Sequence, residues 1–344
     1  MSGQYQHMDA DQINLGPLFL PPDLGGAREQ VVQRDRSLTN KVVDLPQILR
    51  QHLTDACYLA VGGFSSNRIP VAALHEILRM NPQGLAFSGH TSTHDFQILC
   101  AGNLTNRGQL LSKVDIAYIV GLEARGLSPH ARRVIESGEV TLCEWTNYSL
   151  ALRYKAAAMG VPFLPCRTML GTDTLKYSAA KVISCPFTGI PLVVVPALFP
   201  DVAIIHVHEA DIYGNCAIFG PSVADIDLAR AAKTVIITCE RLVPTDTFRQ
   251  NPNRTVIPFF CVDAVCEVPY GSYPGNMPGE YFSDEDHLHL WLKAEKDPAE
   301  FQKFLEDYIL GSTDFEEYLR KCGGLKNLQR LRHQELRLDT GTPN

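Results

Sequence analysis

The sequence lacks the features that would direct it to a membrane, a nucleic acid or an oxidising compartment. No apolar run approaches the roughly 20 residues needed to span a bilayer, and no basic segment followed by an apolar stretch marks a secretory start. There is no basic block, and the formal net charge of −7 argues against nucleic acid as the main partner. Ten cysteines are present without one C-x-x-C pair. Cys57, Cys185, Cys239 and Cys261 fall in apolar segments, as free thiols in a reducing compartment do. H-E-x-x-H is also missing, and no internal repeat is visible. The chain therefore reads as soluble and cytoplasmic, with no metal site.

What is present is ample material for a core. Hydrophobic residues make up 45% of 344. Residues 1–38 have weak periodicity, and Leu18–Phe19–Leu20 is their only apolar patch. They read as an extension laid over the main body or over a partner. Residues 39–336 form one α/β domain, and 337–344 a polar tail. Apolar runs that read as strands, such as Leu85–Phe87, Val140–Cys143 and Thr234–Thr238, alternate with helical patterns. Those helices start after Pro70 and at Ser128-Pro129, run over Tyr148–Met159 and follow Ser222. From Asp284 to about Leu310 the period is again helical. This alternation predicts an open, mainly parallel sheet flanked by helices.

Ligands of such sheets bind beyond the carboxyl ends of the strands, and four polar strand ends are candidates. At Gly62–Gly63–Phe64 an apolar strand meets a glycine turn before the helix led by Pro70. Glycines allow a ligand to approach bare backbone there, although any tight strand-to-helix turn uses them too. Ser88–Asp95 contains Gly89, His90, His94 and Asp95 among hydroxyls, suited to hydrogen-bonding a thioester or carboxylate. Glu144 closes a strand as either a general base or a helix cap. Gly171–Thr172–Asp173 is the fourth. Arg68 either pairs with an anionic ligand or stabilises its corner through a neighbouring acid, the second reading being preferred. His206 and His208 share a strand face and read as half-buried structural groups, whereas His287 and His289 read as surface residues. The four-residue spacing of His90 and His94 has no third metal ligand beside it.

Four collinear blocks carry a resemblance. They are GGFSSNRIPVAALHEIL from Gly62, KAAAMGVPFLP from Lys155, VAIIHVHEADIYGN from Val202, and Cys261–Val265 with Pro269–Gly271. Together they span about residues 40 to 330 and resemble the A-type subunit of the heteromeric class I CoA-transferases, of the glutaconate CoA-transferase type. The resemblance implies a CoA-transferase-like fold and a homologous B-type partner, in a heterotetramer or larger assembly. It implies no cofactor beyond the coenzyme A thioester that serves as substrate, with a dicarboxylic acyl-CoA and a carboxylic acid as the reactants. The nucleophilic glutamate would come from the partner, since this chain shows no counterpart of that loop. Gly62, Gly63 and Phe64 would offer oxyanion contacts, and the His90–Asp95 loop would recognise the thioester or carboxylate. Two other readings stay open. One is hydrolysis of an acyl-CoA, including carbon–carbon cleavage, or decarboxylation, through Glu144. The other is a ligand-sensing module without catalysis.

Overall fold

The computed structural model describes residues 16–105, 107–119 and 126–337. Residues 1–15 of the extension and 338–344 of the tail lie outside them.

Seven strands form the parallel body of the large sheet. In chain order they are β1 (Tyr58–Val61), β2 (Leu85–Gly89), β3 (Leu111–Ile116), β4 (Thr141–Glu144), β8 (Val202–Ala210), β10 (Thr234–Leu242) and β11 (Ala264–Glu267). Their spatial order is β11-β10-β8-β1-β2-β3-β4, and every adjacent pair is parallel. The two-residue β9 (Cys216–Ala217) pairs antiparallel with β8. The open, mainly parallel sheet flanked by helices is thus the fold that forms. A separate three-stranded antiparallel sheet was not foreseen: β5 (Phe163–Cys166), β6 (Lys181–Ser184) and β7 (Pro191–Pro196), in the order β5-β7-β6. β5 follows a helix just as the parallel strands do. Pro165 cannot donate to a ladder, however, and β5 forms an edge.

Alternation along each strand divides the interior into two layers. Leu59, Val61, Phe87, Val114 and Ile204 face one core. It is covered by α2 (Leu45–His52), α3 (Val71–Met80), α4 (His94–Leu104), α5 (Pro129–Glu136) and the C-terminal helices α10 (Glu285–Ala294), α11 (Pro298–Leu305), α12 (Phe315–Lys321) and α13 (Gly324–Leu336). Ala60, Ile205, Val207, Val235 and Ile237 face the other core, under α6 (Asn147–Ala158), α8 (Asp225–Ala231) and the small sheet. Local sequence sets the helix starts. Ser128 accepts from Ala131 N–H at 3.0 Å ahead of Pro129, and Thr146 with Ser149 forms a reciprocal cap for α6. In the extension, Phe19, Leu20, Leu24 and Ala27 pack against the second core, and α1 (Leu24–Gln33) lies over the main body. The short helices α7 (Asp173–Lys176) and α9 (Thr245–Gln250) complete the elements used below.

One buried polar knot fixes α6 against the sheet. Asp115 of β3 accepts from Arg153 Nη1 at 2.6 Å and from Trp145 Nε1 at 2.5 Å, and also from the Tyr58 hydroxyl. The Arg153 guanidinium lies 4.2 Å from the Trp145 ring centroid. Both charges are shut off from solvent, so each depends on the other. We predict that Asp115→Ala lowers stability by about 3–5 kcal/mol, because it leaves a buried guanidinium unpaired. The paired replacement Asp115→Leu/Arg153→Met should cost less than either single change. Urea unfolding measures both, and a loss below about 1 kcal/mol for Asp115→Ala would show the knot to be dispensable.

Candidate functional site

β1 and β8 are neighbours whose connections lead away in opposite directions, to β2–β4 on one side and to β10 and β11 on the other. The crevice beyond their carboxyl ends is therefore where an open α/β sheet is built to take a ligand. The Gly62–Gly63–Phe64 turn lies there, as expected, but its amides are committed. Gly62 N–H donates to Ile204 O at 2.9 Å and Phe64 N–H to Asn67 O at 3.0 Å. Gly63 N–H donates to Asp225 Oδ1 at 2.8 Å. The expected oxyanion contacts from these amides are thus corrected: all three have internal acceptors. The glycines themselves are explained by close approach. A Cβ on Gly62 would lie 2.5 Å from Asp225 Oδ1, and one on Gly63, whose φ is +80°, 2.5 Å from Asn67 O.

Arg68 is wholly buried and pairs with Asp225 Oδ2 at 2.7 Å, and it donates to Pro221 O at 2.7 Å. The preferred corner-stabilising reading is therefore the one the structure gives, and the acid is Asp225. The guanidinium has no exposed atom to reach a ligand phosphate. Asp225 is the residue that sequence reasoning missed. It begins α8 and joins the β1 turn to Arg68, and its charge favours the protonated form of His90.

The β2 loop is knitted to the β1 loop. Ser65 N–H donates to Thr91 O at 2.8 Å, and Thr93 Oγ1 to Ser65 O at 2.6 Å. Gly89 leaves room for the Ser92 hydroxyl and the Asp95 carboxylate, which a Cβ would meet at 2.4 and 2.8 Å. His90 is half-buried, with Nδ1 3.1 Å from Thr91 Oγ1. Burial lowers its pKa, against the opposing pull of Asp225 and the Asn147 carbonyl, which favours the neutral ring. His94 and Asp95 turn inwards instead, which corrects their placement at the ligand. His94 packs edge-on to Trp291 at 4.7 Å and meets Gln97 Oε1 at 3.1 Å. Asp95 accepts from Thr93 N–H at 2.7 Å and Phe96 N–H at 2.9 Å, tying down the start of its own helix.

Glu144 ends β4, and Thr146 rather than Glu144 caps the helix that follows, so the cap reading falls. The carboxyl is partly exposed, and burial, followed by the nearby Asp173 charge, raises its pKa. The Gly171–Asp173 loop thus comes beside Glu144, and Glu144 N–H donates to Tyr177 O at 3.0 Å. Gly171 itself is open, with φ +76° and no atom near its missing Cβ. The β1 and β2 loops are knitted together at the seam, Glu144 lies beside the Gly171–Asp173 loop at β4, and His90 links the two through the Asn147 carbonyl.

Three other readings are corrected. His206 and His208 are fully buried, His206 between Thr238 Oγ1 and Glu240 Oε1 at 2.8 Å each. His287 lies inside, 2.9 Å from the Tyr318 hydroxyl, because α12 packs over it; His289 is exposed. Cys185 stands at the exposed β6–β7 hairpin beside Phe187, while eight of the ten cysteines are buried, all ten being free. Among the described residues no group of three His, Cys, Asp or Glu is placed to hold a metal ion, and no helix is long and apolar enough to cross a membrane.

Comparison with known proteins places this geometry. The family model described as Coenzyme A transferase matches residues 43–268. The A-type subunit of glutaconate CoA-transferase from Acidaminococcus fermentans is 31% identical over 304 residues, covering 83% of this chain and 93% of its own. The crystal structure of that organism's glutaconate coenzyme A-transferase superposes with a TM-score of 0.79 at 30% identity, over 85% of this chain and 95% of the other. The A-type subunit of 3-oxoadipate CoA-transferase from Pseudomonas knackmussii is 32% identical over 289 residues, 82% of this chain and 98% of that protein. A variant of the decarboxylase AibA/AibB superposes with a TM-score of 0.68 at 28% identity, over 78% of this chain and all of the other.

The inward turn of Asp95 has a measurable consequence. Burial pushes its carboxyl up to about 6 from the usual 3.8. The fold therefore favours the protonated form, and this contribution is complete below pH 3.8 and lost as pH rises through about 6. The difference corresponds to about 3 kcal/mol. Asp95→Asn should remove that share of the pH dependence. Urea unfolding near pH 4 and near pH 7 tests it: a variant with the wild-type slope would show that Asp95 does not carry the effect.

Proposed function

The chain belongs to the coenzyme A transferase family, as an enzyme subunit of the A type, and from that premise we propose a divided active site. In this reading the chain is the A half of a heteromeric CoA-transferase that moves CoA between a dicarboxylic acyl-CoA and an acid. A homologous B-type partner supplies the nucleophilic glutamate. The observation that carries the proposal is the commitment of the acids at the β1–β8 seam. Asp225 is held by Arg68 and Gly63, and Asp95 by its own helix start, so neither is available to attack a thioester. A carboxylate from outside would complete the crevice. The dicarboxylic acyl group is supported by the names of two relatives, which act on glutaconate and 3-oxoadipate.

The chemistry then divides between the chains. The partner's carboxylate attacks the thioester carbonyl, the carbon–sulfur bond breaks, and CoA leaves as a thiolate from an acyl–glutamyl anhydride. The thiolate attacks the glutamyl carbonyl, releasing the first acid and leaving an enzyme–CoA thioester, which the second acid reopens. Two difficult displacements are replaced by easier ones. This chain contributes the crevice wall and the neutral His90 ring, which donates a hydrogen bond to the thioester or to a substrate carboxylate. No metal or further cofactor enters.

A second reading is favoured by Glu144, a partly exposed carboxyl of raised pKa that caps no helix. In a hydrolase or decarboxylase on this fold it would act as the base, as a decarboxylase among the structural relatives makes reasonable.

Two experiments test these readings. Expressed alone, the chain should lack acyl-CoA turnover, and co-expression with its B-type partner should restore it and raise the assembled mass; full turnover by the isolated chain would refute the divided site. On the complex, Glu144→Gln separates the two chemistries, since the amide keeps size but cannot accept a proton. The transferase reading expects an enzyme–CoA adduct on the partner, seen by borohydride treatment and intact mass, with turnover reduced by less than about tenfold. A loss of about 10²–10⁴-fold with no adduct in either form would instead assign the reaction to Glu144.

A further inference from the structure

α1 is anchored through its first turn and just past its end, and its later turns are less covered. Before and at its start, Phe19, Leu20 and Leu24 pack on the second core. Just past its end, Arg34 donates to Lys233 O at 2.7 Å, Ala232 O at 3.1 Å and Cys261 O at 3.3 Å, and pairs with Asp263 at 3.1 Å. None of the ten residues of α1 is itself buried. Beneath the helix lies a cavity of about 740 Å³, floored by the last turns of α6 and α8. That volume is in the range of small-molecule sites.

The lining is one-sided in charge. Arg28, Arg34, Arg230 and Lys233 contribute to it, and no carboxylate does. Val31, Met159 and Phe199 supply apolar surface. Helix carbonyl ends attract cations, and that accounts for Arg34, whose guanidinium is bonded to the carbonyls that end α8. Lys233 is neutralised by Asp201 at 2.8 Å. Neither explanation covers Arg28, which reaches in from the opposite wall, on α1. Neither Arg28 nor Arg230 forms an ion pair among the described residues, although Arg230, in the last turn of α8, also hydrogen-bonds the Cys261 side chain.

We propose that this cavity binds a small anionic amphiphile, with its carboxylate or phosphate head between Arg28 and Arg230 and its apolar body against Val31, Met159 and Phe199. The site lies at the amino edge of the sheet, since Phe199 precedes β8 and Lys233 precedes β10. It is therefore remote from the carboxyl-edge crevice and can be filled while the reaction proceeds. α1 falls outside the residues matched to the family model, 43–268, whereas the floor of the cavity lies inside them, so the extension supplies only the roof.

Calorimetric titration of the full chain with octanoate, and with octanamide as the uncharged analogue, tests the proposal. Octanoate should bind saturably, once per chain, and octanamide about tenfold or more weaker. Arg28→Gln/Arg230→Gln should weaken octanoate about tenfold and leave octanamide unchanged. Ala158→Phe, which fills the floor, should remove both while the thermal melt stays in place. Absence of saturable octanoate binding, equal affinity for the two compounds, or affinity unmoved by both variants would overturn it. So would an assembled mass that falls in Ala158→Phe without any octanoate binding in the parent, which would make the cavity a protein interface. Acyl-CoA turnover by the assembled complex is a separate reading, and the Arg28 and Arg230 variants should leave it intact.

Discussion

Where the two halves of the large sheet wind away from each other, the chain has to close a gap at the carboxyl ends of β1 and β8, and it does so with a buried carboxylate. Asp225 takes the Gly63 amide, pairs with Arg68 and biases the charge of His90. Gly62 follows from its position, because the carboxylate comes so near the Gly62 Cα that no side chain fits. The conformation of Arg68 follows too, with a φ of +56° that only a strong local restraint holds in a residue with a Cβ. Ser65, also at positive φ, is restrained by the β2 loop through Thr91 and Thr93.

Burying such pairs is costly, and a well-packed apolar substitute is often as stable. What the ion pairs supply is geometry. Arg68 with Asp225, and Arg153 with Asp115, each join a helix-side group to a strand-side group at one permitted separation. The seam is thereby rigid on this chain's side. Its acids serve the scaffold, whereas Glu144, two strands away from β2, keeps a partly exposed carboxyl.

Local chemistry was legible in the sequence, and long-range partnership was not. The glycine turn before Pro70, the Ser128-Pro129 start and the helix over 147–158 could be read because each depends on neighbours a few residues apart. Arg68 was read as needing an acid, but the acid lies 157 positions on, in a segment whose helical period gave no sign of it. His94 and Asp95 looked like loop residues rich in ligand chemistry. They instead begin α4, whose apolar packing on Trp291 draws them inwards. His287 misled for a related reason: charged neighbours suggested a surface, while a helix almost thirty residues later covers that face. The small sheet escaped notice because β5 has a parallel strand's place in the order of elements, and only its prolines hint at an edge.

The seam also orders events in time. β1 pairs with β2 across fewer than thirty residues but with β8 across more than 140, as Tyr58 with Ala86 and Leu59 with Val202. Closing the longer loop carries the greater entropic penalty and is the slower step. During synthesis the β1–β4 half can assemble while Arg68 still lacks its counter-charge, which arrives only with residue 225. The crevice and the completed fold therefore come into being together, so that a chain interrupted before α8 exposes an unpaired arginine at the sheet edge instead of a half-made site.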